Sequence, residues 1–205
     1  MLKWTWPLID TEHALYVQWD GMATRPDLWD DEFLKYDYIG APWPWKEEGF
    51  NVGNGGFSLR SRKLLRTCGF DSAIQLTKQE PVAEDNSIGQ HNRAYLEFKY
   101  GIKFAPTDVA KRFSFELGDY RESFGFHGLW NMPINLSQED FDQVMPLIDF
   151  ANWNIYKWNH FIVALANKGY NDHLQTAVEQ LEQNSPSLIA PLNSVLQQYG
   201  LEVTP

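Results

Sequence analysis

A single cysteine, Cys68, stands in 205 residues. One thiol cannot close an internal disulfide, so a secreted scaffold stapled by bridges is excluded. Long apolar runs are missing as well. No stretch approaches the ~20 apolar residues that span a bilayer, and Met1-Leu2-Lys3-Trp4-Thr5-Trp6-Pro7 carries no signal-peptide core. A reducing, cytoplasmic setting is the expectation. Positive charge is scarce: 17 Lys and Arg stand against 27 Asp and Glu, a net −10. That balance argues against the basic stripe of a nucleic-acid binder and against docking on anionic membranes. The phosphate-loop pattern, the dinucleotide Gly-x-Gly-x-x-Gly pattern, a Cys/His metal cluster and a serine nucleophile elbow are all absent.

What is present supports a folded, ligand-handling protein. A hydrophobic fraction of 43% supports a real core. The length suits one domain, or one domain with an appendage. Nine Trp, nine Tyr and 13 Phe supply flat rings that suit sugar faces, though packing is the ordinary use of each.

Periodicity divides the chain in two. His13–Trp19 reads as a buried strand ended by the Asp20-Gly21 turn. Pro26 opens a short amphipathic helix to Leu34, and Tyr36–Gly40 is a second strand. Residues 41–51 hold two prolines, two tryptophans and a charged cluster, which fits a ligand-covering loop. Gly56–Arg60 is a third strand, and Ser61 caps a helix ending at Gly69. Residues 71–83 read as irregular, and a helix follows from Glu84 to Tyr100, stopped by Gly101. Short strands are expected at Ile102–Ala105 and Phe113–Glu116. Residues 138–199 read as successive helices broken near Pro146, Gly169 and Ser185-Pro186, with stripes at Leu174, Val178, Leu181 and at Leu188, Leu192, Val195. The fold class is therefore α/β over 1–135 with an α-helical appendage over 136–205.

One run stands out: Val52-Gly53-Asn54-Gly55-Gly56-Phe57-Ser58-Leu59-Arg60. Three glycines leading into a strand cost chain entropy and add little core. They make sense where the backbone must come close to something or needs positive φ. Asp20 lies at a strand end, where α/β sheets place ligands, although Asp-Gly is also an ordinary turn pair. Glu84-Asp85 opens a helix; acids there stabilise the dipole, and one carboxylate aimed into a cleft could deprotonate a hydroxyl. Helical neighbours do not face the same way, so only one of them serves as base. His127, between glycines and aromatics, is a metal-ligand candidate or a structural imidazole.

The order of these segments is more specific than any one of them. Gln18-Trp19-Asp20, then Tyr36-Asp37-Tyr38-Ile39-Gly40-Ala41-Pro42-Trp43, then Gly53 to Arg60, then Glu84-Asp85, then Phe126-His127-Gly128 resembles a glycosyltransferase of the GT-A type. It is similar to a poorly characterised, largely bacterial family with YDYIGAPW and VGNGGFSLRSRKLL segments. The resemblance covers about residues 12–132.

It implies a partial GT-A core with a Rossmann-like mixed sheet. It also implies transfer of a sugar from a nucleotide-sugar donor to a hydroxyl acceptor, with inversion. Asp20 and His127 match metal ligands for Mn2+ or Mg2+. Gly55, Gly56 and Asn54 match the wall beside the donor sugar, and Gln18 would hydrogen-bond a sugar or ribose hydroxyl. Asp85, with Glu84 beside it, matches the base of inverting members, and Trp43 and Trp45 could stack on a sugar ring. Two departures follow. Gln18 replaces a metal-binding acid, so the cation is weakly held or dispensable. Only about one helix and one strand precede Asp20, so most of the nucleotide-binding half is expected to be missing. A longer parent chain, a reduced protein, or a partner chain or second copy would each account for that. The alternative reading is a non-catalytic carbohydrate-binding or assembly module. A protein-interaction role for the helical tail would require exposed apolar stripes.

Overall fold

The computed structural model describes residues 5–74, 83–151 and 153–201. They form two compact units, Met1–His127 and Gly128–Pro205. The architecture is mixed α/β, with small sheets and many helices. No helix among the described residues is long and apolar enough to cross a membrane.

The first unit is built on β4 (Phe57–Ser61), the middle strand of a sheet in the order β1-β4-β3. Both β1 (His13–Val17) and β3 (Tyr38–Gly40) pair with it antiparallel. The register sets Ala14, Arg60 and Tyr38 side by side on one face, and Leu15, Leu59 and Ile39 on the other. Each face carries a core. One gathers Tyr38, Leu64, Leu65, Ile88 and Leu96; the other gathers Phe33, Ile39, Phe57, Leu59 and Phe113. All five residues of β4 are therefore buried. A second small sheet has the order β2-β6-β5, from Gly21–Ala23, Gly125–His127 and Ser114–Phe115. β2 runs antiparallel to β6, and β5 parallel to it.

Several expectations need correction. β1 is an edge strand, not a buried one: Leu15, Val17 and Trp19 are exposed. Its apolar residues reflect a half-covered antiparallel face, which periodicity over so short a run cannot separate from a fully buried strand. The helix expected from Pro26 is two 3-10 turns, Pro26–Leu28 and Asp31–Lys35. Asp30 breaks it by turning extended and capping the Glu32 N–H. The long helix from Glu84 is also interrupted. A helical turn, Glu84–Asn86, widens into a π turn, Ser87–His91, before α2 (Arg93–Tyr100). Asn92 sits at the junction, its N–H and side-chain amide both donating to the Ser87 carbonyl. Phe104 makes a bridge to Tyr38, and the strand expected at Phe113–Glu116 is present as the two-residue β5, with Phe113 ending α3 (Thr107–Phe113). Other signals match: Ser61 accepts from the Leu64 N–H to cap α1 (Arg62–Phe70), and Gly101 ends α2 at φ +59°. Residues 75–82 of the expected irregular stretch lie outside the described residues.

The second unit is helical: α4 (Met132–Asn135), α5 (Gln138–Val144), α6 (Ile155–Lys168), α7 (Asn171–Asn184) and α8 (Ile189–Gln198). Pro146 lies in a 3-10 turn, Gly169 ends α6 at φ +69°, and Pro186 opens the turn before α8. Leu174, Val178 and Leu181 are buried, so that stripe is packed; of the second stripe Leu192 is buried, while Leu188 and Val195 are half-buried.

Candidate active site

The wall begins with Gly53–Gly56 at the entrance to β4. Among the described glycines, those with left-handed φ are Gly49, Gly101, Gly118, Gly128, Gly169 and Gly200, none of them in this run. Close approach, not backbone strain, is what the run requires. A Cβ on Gly53 would overlap the Trp43 ring, and one on Gly56 would overlap the His127 ring. At Gly55 it would lie 2.8 Å from both Asp85 Cβ and Glu84 Oε1, and 2.9 Å from Arg60 Nη2. The space vacated by the glycines is thus filled by the protein's own side chains.

Buried donors hold the run in place. The Tyr38 hydroxyl donates to the Gly53 carbonyl at 2.6 Å and reaches the Asn54 carbonyl at 3.2 Å. Ser58 Oγ and Arg60 Nη2 both donate to the Gly55 carbonyl, at 3.1 and 3.2 Å. Arg60 is 1% exposed, its guanidinium 4.4 Å from the Tyr16 ring centroid and 5.3 Å from that of Tyr38. Its Nη2 also donates to Glu84 Oε1 at 2.8 Å. Burial pushes the Tyr38 phenol well above its ordinary range; the Arg60 charge opposes the shift, and the Asp85 and Glu84 charges add to it. Sequence reasoning gave Arg60 and Tyr38 no role. The usable signal was an arginine following Phe57-Ser58-Leu59 in a strand that reads as buried, where only a buried partner set could support it.

Glu84 and Asp85 are separated by these contacts. Arg60 ties down Glu84. Asp85 makes no ion pair among the described residues, and its Oδ2 accepts the Gly55 N–H at 3.1 Å. Burial raises the Asp85 pKa; the Asn86 N–H opposes this, the Glu84 charge adds to it, the Gly55 N–H opposes it, and Glu116 adds again. A carboxylate with a raised pKa, beside a second acid paired with an arginine, has the chemistry to accept a proton from a hydroxyl.

His127 joins the other end of the wall. Its Nδ1 lies 3.0 Å from Glu116 Oε1 and 3.2 Å from Asn54 Nδ2. Its Nε2 lies 3.3 Å from Asp20 Oδ1 and 3.2 Å from Gln18 Oε1. Burial alone would lower the imidazole pKa, but hydrogen bonds to Asp20 and Glu116, and their charges, outweigh it and lift the value to about 9. Gln18 also donates its N–H to the Gly56 carbonyl at 2.7 Å, which closes the end of β1 onto the run. Asn54 Oδ1 accepts the Gly56 N–H at 3.1 Å.

The structure therefore brings together Gln18, Asp20, Asn54, Gly55, Gly56, Glu84, Asp85 and His127, from four separate segments. Asp20 Oδ1, Gln18 Oε1 and His127 Nε2 converge as one carboxylate, one amide oxygen and one imidazole nitrogen, a donor set that fits a loosely held divalent cation. Binding there would require Nε2 to give up its proton. Among the described residues, no group of three or more His, Cys, Asp or Glu is arranged to hold a metal ion.

The two tryptophans part company. Trp43 is 5% exposed, packed against Gly53 and Gly89, and offers no open ring face for the stacking expected of it. The Pro42–Val52 bridge pulls it inward by pinning the loop ends together. Trp45, 62% exposed, keeps its ring in solvent. The π turn explains Gly89: a Cβ there would come within 3.2 Å of Gly53 Cα.

No curated protein and no solved structure matches the chain. A family model matches residues 1–127, the stretch that carries every residue of the wall. The chain belongs to that family, DUF5672, described as protein of unknown function.

Proposed function

We propose that the chain is a nucleotide-sugar-dependent glycosyltransferase with a GT-A type core in residues 1–127. The observation that carries this reading is Asp85: a half-buried carboxylate without an ion-pair partner among the described residues, held on the Gly55 N–H, its pKa raised beside a clamped Glu84. Asp85 takes the proton of the acceptor hydroxyl as that oxygen attacks the anomeric carbon of the donor. The bond from that carbon to the diphosphate oxygen breaks, and the nucleoside diphosphate leaves with the electron pair. Arg60 holds Glu84 and the Gly55 carbonyl, which fixes the backbone that positions Asp85. Asp20, Gln18 and His127 would hold a Mn2+ or Mg2+ ion, whose chemistry when bound is neutralisation of charge on the departing diphosphate. The test is release of nucleoside diphosphate from a panel of nucleotide sugars in the presence of Mn2+ and candidate acceptors. Turnover by the wild type that Asp85→Asn abolishes supports the reading; equal turnover by both refutes it.

A second reading, a non-catalytic carbohydrate-binding module, is favoured by the exposed rings of Trp19 and Trp45 and by glycines whose space the protein fills itself. It requires glycan binding that survives EDTA and Asp85→Asn and is lost with Trp45→Ala.

A further inference from the structure

The first unit also holds a cleft of about 550 Å³, between the loop that follows β3 and the segment joining β5 to β6. That volume suits a ring-sized ligand. Its charged lining is Lys46, Lys111 and Arg121 against Asp119 alone, in a chain whose net charge is −10. None of these three cations forms an ion pair among the described residues, whereas Arg25, Arg60, Lys99 and Arg112 all do. In so acidic a protein, three cations facing one concavity and left without carboxylates raise the local potential for an incoming anion.

The most enclosed of the three is anchored. Arg121 is half-buried, donates Nε to the Lys111 carbonyl at 3.3 Å, and lies 5.2 Å from the Phe115 ring centroid. Burial lowers its pKa with no acid opposing the shift. Tyr120 packs edge-on against the same Phe115 ring at 5.4 Å, and keeps half its surface in solvent. A flat, half-open ring with a hydroxyl therefore stands beside a fixed guanidinium. Trp43, whose ring packs against Gly53, borders the cleft as well.

We propose that this cleft binds an anion carried on a sugar-sized ring, a phosphate ester or a carboxylate, with Lys46, Lys111 and Arg121 as charge partners and Tyr120 beside the ring. Phosphate and carboxylate share the recognition chemistry: charge-assisted N–H···O bonds from ammonium and guanidinium groups. Occupancy is read by binding alone, so its test does not depend on glycosyl transfer.

Isothermal titration of the full chain at low salt, with glucose 6-phosphate, glucuronate and glucose as probes, tests it. At least one of the two anions binds, and glucose binds at least about tenfold more weakly. The stronger anion identifies the head group. Lys111→Ala and Lys46→Ala each weaken the anion by about tenfold, the worth of a charge-assisted hydrogen bond. Asp119→Asn, which removes the single acid, strengthens it. Lys103→Ala, an exposed cation outside the cleft, leaves it unchanged. The lysine variants keep the test open even if Arg121→Ala disturbs packing on Phe115. Glucose binding as tightly as the anions, lysine variants binding like wild type, or no heat from either anion at about 10 mM would each overturn the proposal.

Discussion

The interiors of the two units are built from different materials. Within Met1–His127, a fully buried arginine, Ser58, Asn54, Asn92, Arg93 and Glu116 sit among the aromatics. Within Gly128–Pro205, the interior is Phe141, Phe150, Trp153, Trp158, Phe161, Leu165 and Leu181, with Asn131 and Ser185 as the buried polar residues described. Buried polar groups need partners and are costly when a partner is removed, while apolar packing tolerates more. The helical unit carries no comparable network among its described residues, and its rings pack against one another, as Phe150 does with Trp158 at 5.3 Å.

The sharpest way to break this contrast is truncation on each side. Trp158→Ala removes the largest fully buried side chain and is expected to cost about 3–5 kcal/mol of the second unit's stability. Arg60→Ala is expected to cost about 2–4 kcal/mol in the first, chiefly by opening a cavity, removing the second donor to the Gly55 carbonyl and the donor to Ser58, and leaving Glu84 without its partner. Urea denaturation measures both. Restoring volume without polarity separates them: Trp158→Phe recovers much of the loss, whereas Arg60→Met recovers little, because it restores neither the lost donors nor the partner of Glu84.

Next in size is Gly56→Ala, whose Cβ would overlap His127. A shift of the ring or the backbone is required, at about 1–3 kcal/mol, and the hydrogen bonds from His127 to Asp20 and Gln18 are displaced with it. A matching change in a helical unit glycine, Gly169→Ala, meets no neighbour within 4 Å and is disfavoured only by its φ of +69°. Thermal melts compare the two.

The smallest effect is a pH dependence. Burial lifts the folded Asp85 pKa above its ordinary 3.8, so between those two values the folded chain holds a proton that the unfolded chain has lost. Stability falls as pH rises through that window. Asp85→Asn removes the penalty, so the variant gains stability over wild type above the window and matches it below 3.8. Denaturation midpoints across the acid range measure the crossover.

The helical unit was the more legible of the two. Gly169 and Pro186 punctuate it, and the apolar spacing at Leu174, Val178 and Leu181 reports packing directly. In the first unit, the polar candidates were readable because glycines and acids at strand and helix ends are costly or unusual. Their partners were not readable. Arg60 meets Glu84 and Tyr16 only after β1, β4 and β3 align in register. Trp43 looked like a loop tryptophan, and becomes core only when Gly53 and Gly89 make room for its ring. The π turn at Ser87–His91 leaves no periodic trace, because one widened turn shifts the phase of a helix without altering its composition.

The central claim is that Asp85 is a base held on the glycine run. Release of nucleoside diphosphate from a nucleotide sugar, measured for wild type and Asp85→Asn in parallel at saturating Mn2+, tests it most directly. The account predicts turnover in the wild type and a loss of at least about a hundredfold in the variant, the scale of removing a general base, with the fold retained. Equal turnover in the two, or none in the wild type with any donor and acceptor of the panel, would contradict it.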